Sequence, residues 1–233
     1  MRACLRLERQ GAMVVSPNED DIVAVTDAFD DCLWASQWSK DLRLASERCD
    51  SLVMAYTGAD RHYHDIGHVA AMLALLDQHA PAHVDKLPIR WAILYHDVVY
   101  DARRSDNEAA SADIMERDLA ALGVSRGVRE RVADLILATR HGESVAQDEA
   151  MALLVDIDLA VLASGAEAYD GYAAAIRREY AHVPQEAYRA GRSRVLSGFL
   201  DRPALYQTPA LHAQWEQPAR RNLAREIEAL RNG

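Results

Sequence analysis

Residues 88–100 read PIRWAILYHDVVY, and whether this run is a helix or a strand decides the fold class. It is apolar almost all round, as a buried helix is, yet its β-branched end, Val98 and Val99, is what a strand would also show. The surrounding sequence favours helix. No run in the chain alternates apolar and polar residues with turn signals at strand spacing, whereas helical periodicity recurs on both sides. Upstream, IVAVTDAFDDCLW gives a first helix from Asp20, and SPNED before it offers an N-cap and early acids. A second helix runs from about Lys40 to Tyr56 and ends near Gly58. A third starts close to His64 and continues through VAAMLALLDQH, with Ile66, Val69, Leu73 and Leu76 on one stripe. Pro81 and Pro88 bracket the loop that follows. Beyond a loop at DARRSDN, helices are expected over 108–122, 126–138, 149–162, 166–182, 185–199 and 209–230, punctuated by Gly123, Gly142 and Gly165. There is no internal repeat or low-complexity stretch. The expectation is an all-α protein with a tail over residues 1–17 and one domain over 18–233, its last helices packed on the first.

A chain of 233 residues buries a core without disulfides. Its three cysteines, Cys4, Cys32 and Cys49, are odd in number and lack ligand spacing, which fits a reducing, cytoplasmic setting and argues against a cysteine metal site. The opening MRACLRLERQGAMVV is positively charged, but its apolar stretch is too short and interrupted for a signal peptide or a membrane span. Residues 1–12 read as a loose tail or an upstream start. The net charge of −10 argues against a general nucleic-acid binder, which needs a basic face. That charge is uneven: residues 177–233 hold ten arginines against six acids, a balance of +4, which leaves −14 for residues 1–176. An arginine-rich back suits an anionic ligand, although arginines paired with acids on helix faces are the plainer reading. The partner expected is a small molecule, with no nucleic-acid polymer and no membrane, for a monomer or homodimer.

Three places put titratable groups where the pattern expects core. His96 and Asp97 close the apolar run 88–100, and a buried carboxylate is costly unless a cation or donors offset it. Neighbours on a helix diverge by about 100°, yet two such side chains still converge on an ion lying between them. RHYHDIGHV, residues 61–69, holds three of the nine histidines, and on a helix His64 and His68 would share a face. LLVDIDLAVL, residues 153–162, carries Asp156 and Asp158. Each has a plain alternative: a helix-terminal ion pair, solvated loop histidines, a helix cap. Together they offer two imidazoles and carboxylates, a set that suits a first-row divalent metal with water in its open positions.

The order His68, His96-Asp97, Asp158 resembles the H…HD…D signature of the HD superfamily of metal-dependent phosphohydrolases. RHYHDIGHV resembles the YHxxxH segment found in that superfamily. The longer string AILYHDVVYD with DNEAASAD, LATRH, DIDLAVL, IRREY and GRSRVL resembles a bacterial group of predicted HD phosphohydrolases, over residues 20–231. The resemblance implies an HD-type helical bundle with extra C-terminal helices. It implies metal ligation by His68, His96, Asp97 and Asp158, and a role for His64 in donating a proton or contacting phosphate. The reaction implied is hydrolysis of a phosphoester, in a nucleotide or small phosphorylated metabolite. DID leaves Asp156 as the other candidate for the last ligand; an apolar helix starting within two residues favours Asp158. Binuclear members insert two further histidines before the last aspartate, and residues 98–157 contain only His141. One divalent ion, Mn, Mg, Ni, Co, Fe or Zn, is therefore expected, with His141 lining the pocket as a substrate contact or helping a second, weaker ion.

Glu108 is a candidate to activate the attacking water, or simply a favourable acid at a helix start. Arg61 is the leading phosphate contact because it adjoins the histidines; Arg103, Arg104, Arg177, Arg192 and Arg194 are lesser ones. Tyr63, Tyr95 and Tyr100 either close the pocket or pack. Two other readings stay open: a metal- and nucleotide-binding regulatory module without turnover, and an oxidative di-iron enzyme, which the shortage of histidines disfavours.

Overall fold

A computed structural model describes residues 19–140 and 146–232. Among these residues every regular element is helical, so the all-α expectation holds. The run 88–100 is a helix only as far as Tyr95; its β-branched end forms a turn and no strand. The chain divides into two compact units, residues 1–142 and 143–233.

The first unit contains α1 (Glu19–Ala35), α2 (Leu42–Tyr56), α3 (Ile66–His79), α4 (Lys86–Tyr95), α5 (Asn107–Ala121) and α6 (Arg126–Ala138). Helix α4 is the hub, touching α1, α3, α5 and α6. Five consecutive residues, Trp91 to Tyr95, have no exposed surface, which explains why α4 is apolar on every side. Full burial of side chains such as Ile93 or Leu94 contributes about 1.5–3 kcal/mol each, so α4 anchors this unit. Phe29 of α1 meets Trp91 edge-on at 5.3 Å, and the Trp91 indole donates to the Ser36 hydroxyl at 3.2 Å.

Aspartates set three helix starts: Asp41, Asp65 and Asp85 accept from backbone N–H groups in the first turns of α2, α3 and α4. Pro88 falls within the first turn of α4, where its missing N–H costs little. Helix α5 ends at Gly123, whose φ of 78° lies in the left-handed region; a Cβ there would also come within 3.1 Å of the Ser39 backbone nitrogen.

The second unit contains α7 (Glu149–Asp158), a short 3-10 helix (Leu159–Ala163), α8 (Ala166–Glu179), α9 (Gln185–Leu200) and α10 (Pro209–Asn232). The α-helix expected over 149–162 thus tightens to 3-10 after Asp158. Helix α10 packs on α8, α9 and the 3-10 turn, and the Asn222 amide donates to the carbonyls of Leu162 and Ser164. The loop between α9 and α10 is held by Glu216. Its carboxylate accepts from the Leu205 and Tyr206 amides and from Arg220, whose guanidinium also donates to the Leu200, Arg202 and Pro203 carbonyls.

No helix among the described residues is long and apolar enough to cross a membrane. The tail proposed for residues 1–17 and the SPNED cap through Asn18 lie outside the described residues.

Candidate metal centre

His96 follows α4 directly and is 1% exposed, so its surroundings dictate its proton. Nδ1 lies 2.9 Å from the Ile93 carbonyl oxygen. A carbonyl only accepts, so Nδ1 carries the hydrogen and Nε2 presents its lone pair. That lone pair faces Asp97 Oδ2 at 3.2 Å, with the Asp97 side chain 14% exposed. Two atoms that both offer lone pairs sit this close only with a cation between or beside them, either a proton on the ring or a metal ion. The second-nitrogen bond from an imidazole to a backbone carbonyl is also the arrangement that orients histidine ligands in metal sites. The donor set therefore fits a divalent ion.

His68 brings a second imidazole. Its ring centroid lies 5.4 Å from that of His96, and it projects from the first turn of α3. Helix α3 starts two residues later than the i, i+4 argument for His64 and His68 needs, because Asp65 caps it by accepting from the amides of Gly67 and His68. His64 is outside the helix. The two rings still come together, at 6.1 Å, with Tyr63 edge-on to His64 and tilted against His68, each at 4.9 Å. Tyr100 stacks on His64 at 4.0 Å and 25°.

The segment after His96 is fixed from several sides. The Asp97 amide donates to the buried Tyr56 hydroxyl at 3.1 Å. Ser111, fully buried in α5, accepts from the Val99 amide and donates to the Val99 carbonyl. Asn107 does the same for Asp101. Arg61 ties this segment to the histidine loop, since its guanidinium donates to the His64 carbonyl at 2.9 Å, the Asp97 carbonyl at 2.7 Å and the Val98 carbonyl at 3.1 Å. It also lies over the Tyr56 and Tyr100 rings. Sequence reasoning cast Arg61 as a phosphate contact and missed this fastening, along with Tyr56 and Ser111.

The two aspartates of DID, both in the second unit, separate cleanly. Asp156 has no exposed surface, and its two oxygens accept from the Gln207 and Thr208 amides at 2.8 and 2.6 Å, immediately before α10. Burial raises its pKa, and those amide bonds only partly counter the rise. Asp156 is thus occupied as a structural cap. Asp158 is the last residue of α7 and keeps some exposure.

Glu108 lies in the first turn of α5, which begins at Asn107 behind Asp106. Among the other arginines, Arg103 and Arg104 pair with Asp101 and Asp106, Arg177 donates to the Tyr180 and Val183 carbonyls, and partly buried Arg192 forms a two-point pair with Glu226. Tyr95 is core, and burial holds its hydroxyl well above the usual tyrosine pKa. His141 lies outside the described residues. No family model, no curated protein and no solved structure matches the chain.

Proposed function

We propose that the chain is a metal-dependent phosphohydrolase of the HD type, cleaving a phosphoester in a nucleotide or a small phosphorylated metabolite. The observation that carries this reading is the placement of the buried His96 ring, with Nδ1 on the Ile93 carbonyl, Nε2 3.2 Å from the Asp97 carboxylate and the His68 ring alongside. Asp158, in the second unit, is the carboxylate this reading adds to the two imidazoles, since a mixed imidazole and carboxylate set suits a first-row divalent ion. His68, His96, Asp97 and Asp158 would hold one divalent ion, and Asp156, already engaged by two amides, would not.

A bound divalent ion supplies a water of lowered pKa and draws charge from a phosphoryl oxygen. The residues around it do the rest. His64, oriented by the Tyr100 stack, donates a proton to the leaving oxygen or holds the phosphate. Glu108, in the first turn of α5, is the carboxylate this reading assigns to accept a proton from the attacking water.

Elemental analysis of protein purified without chelator or affinity metal tests this reading, comparing the native chain with Asp97→Ala. The expected result is about one first-row ion per native chain, lost in the variant, and phosphatase activity with that ion. A native chain that takes up none, even after incubation with manganese or nickel, would refute it.

A further inference from the structure

The role of Arg61 reaches beyond the ligand set, although the inference rests on the metal-site reading above. An arginine beside an imidazole and a carboxylate invites the view that it waits for a phosphate. Its hydrogen bonds point elsewhere. One guanidinium nitrogen reaches two carbonyls that are 33 residues apart in sequence, His64 at 2.9 Å and Asp97 at 2.7 Å, and the other nitrogen reaches Val98 at 3.1 Å. Those carbonyls belong to the two segments that carry the candidate chemistry, the loop before α3 and the turn after α4. The planar fork suits this bridging, because its nitrogens stand a fixed distance apart, which the single ammonium of a lysine does not reproduce. The Tyr56 and Tyr100 rings hold the guanidinium at 5.2 and 5.5 Å. Tyr56 accepts from the Asp97 amide and Tyr100 stacks on His64, so the same three side chains fix both segments.

We propose that Arg61 is a positioning residue: by bridging the His64, Asp97 and Val98 carbonyls it sets the separation of the His64–His68 side from the His96–Asp97 side, and thereby the geometry in which a divalent ion is held. Support of this kind around metal ligands is typically worth ten- to a hundredfold in affinity.

The sign of the effect discriminates between roles. Arg61→Ala removes a positive charge from beside a cation site, so electrostatics alone predicts tighter metal binding. Positioning predicts the opposite. Cobalt(II) is titrated into metal-stripped native protein, Arg61→Ala and Arg61→Lys, following affinity and the visible ligand-field spectrum. The expected result is affinity weakened about tenfold or more in both variants, with an altered spectrum at saturation. General loosening of the fold would leave the saturated spectrum unchanged. If Arg61→Ala proves too unstable, Tyr56→Phe keeps the ring under the guanidinium, removes the acceptor of the Asp97 amide and is expected to weaken cobalt binding in the same direction. Native protein that binds cobalt while the variants match it or bind more tightly overturns the positioning role and leaves the metal site standing. Native protein that binds no cobalt overturns both.

Discussion

Arg61 in the first unit and Arg220 in the second each gather three backbone carbonyls, but they bind different kinds of chain. Arg220 collects Leu200, Arg202 and Pro203 and shares the buried Glu216 carboxylate, which also accepts the Leu205 and Tyr206 amides. The clamped backbone there carries no residue of the candidate centre, and the cluster joins α9 to α10. Arg61 collects His64, Asp97 and Val98, two of which carry side chains able to bind a metal or move a proton. The same hydrogen-bond chemistry thus serves fold stability in one unit and site geometry in the other.

Glu216→Ala gives the sharpest break of this comparison. It takes the carboxylate partner from Arg220 and leaves two buried amides without their acceptor, and a loss of about 3–5 kcal/mol is expected in urea unfolding of the full chain. Arg61→Ala in the same assay should cost clearly less while disturbing metal binding more; equal losses of stability would erase the distinction. Next come the two aspartates of DID. Asp156→Asn turns an NH₂ group towards a backbone N–H before α10, and about 1–3 kcal/mol of stability should go. Asp158→Asn should change stability less and abolish the retention of metal. The reverse pattern would make Asp156 the ligand.

The smallest effect is expected at a third guanidinium, Arg90, paired on the surface with Asp77 at 2.7 Å. Partial burial pushes the Asp77 carboxyl up, but hydrogen bonds and charge from Arg90 and Lys86 overcome it and hold the pKa below the usual carboxylate value. A depressed folded pKa stabilises the fold above the unfolded carboxylate value, and that contribution fades as pH falls through the folded one. Asp77→Asn should therefore lower stability slightly near neutral pH, leave it unchanged below the folded pKa, and flatten the acid limb by that small difference. A large loss at neutral pH would show that surface pairing matters more than the buried clasp.

Local signals were legible in the sequence. The apolar α4 announced a buried helix, and a histidine and an aspartate at its end announced polar groups in need of a reason. The start of α3 was legible too, since Asp65 precedes an apolar stripe as a capping residue does, but the spacing of His64 and His68 drew the helix two residues too early. Distant pairings were not legible. Arg61 meets residues 36 and 37 positions away, and Asp156 meets residues 51 and 52 away. Helical periodicity reports which face of an element is apolar and carries nothing about which carbonyl or amide from another element will arrive there.

His96 is attached to the end of a helix whose last five residues are wholly enclosed. Its ring is itself enclosed, at 1% exposure, so the core of the first unit holds it in place. Residues 57–65, an irregular connection with mostly partial exposure, are held instead by directed contacts: the Arg61 guanidinium on the His64 carbonyl, the Tyr100 ring on His64 and the Asp65 cap of α3. The two sides of the candidate centre are therefore secured in different ways, His96 by enclosure in the core and His64 by a few directed side-chain contacts.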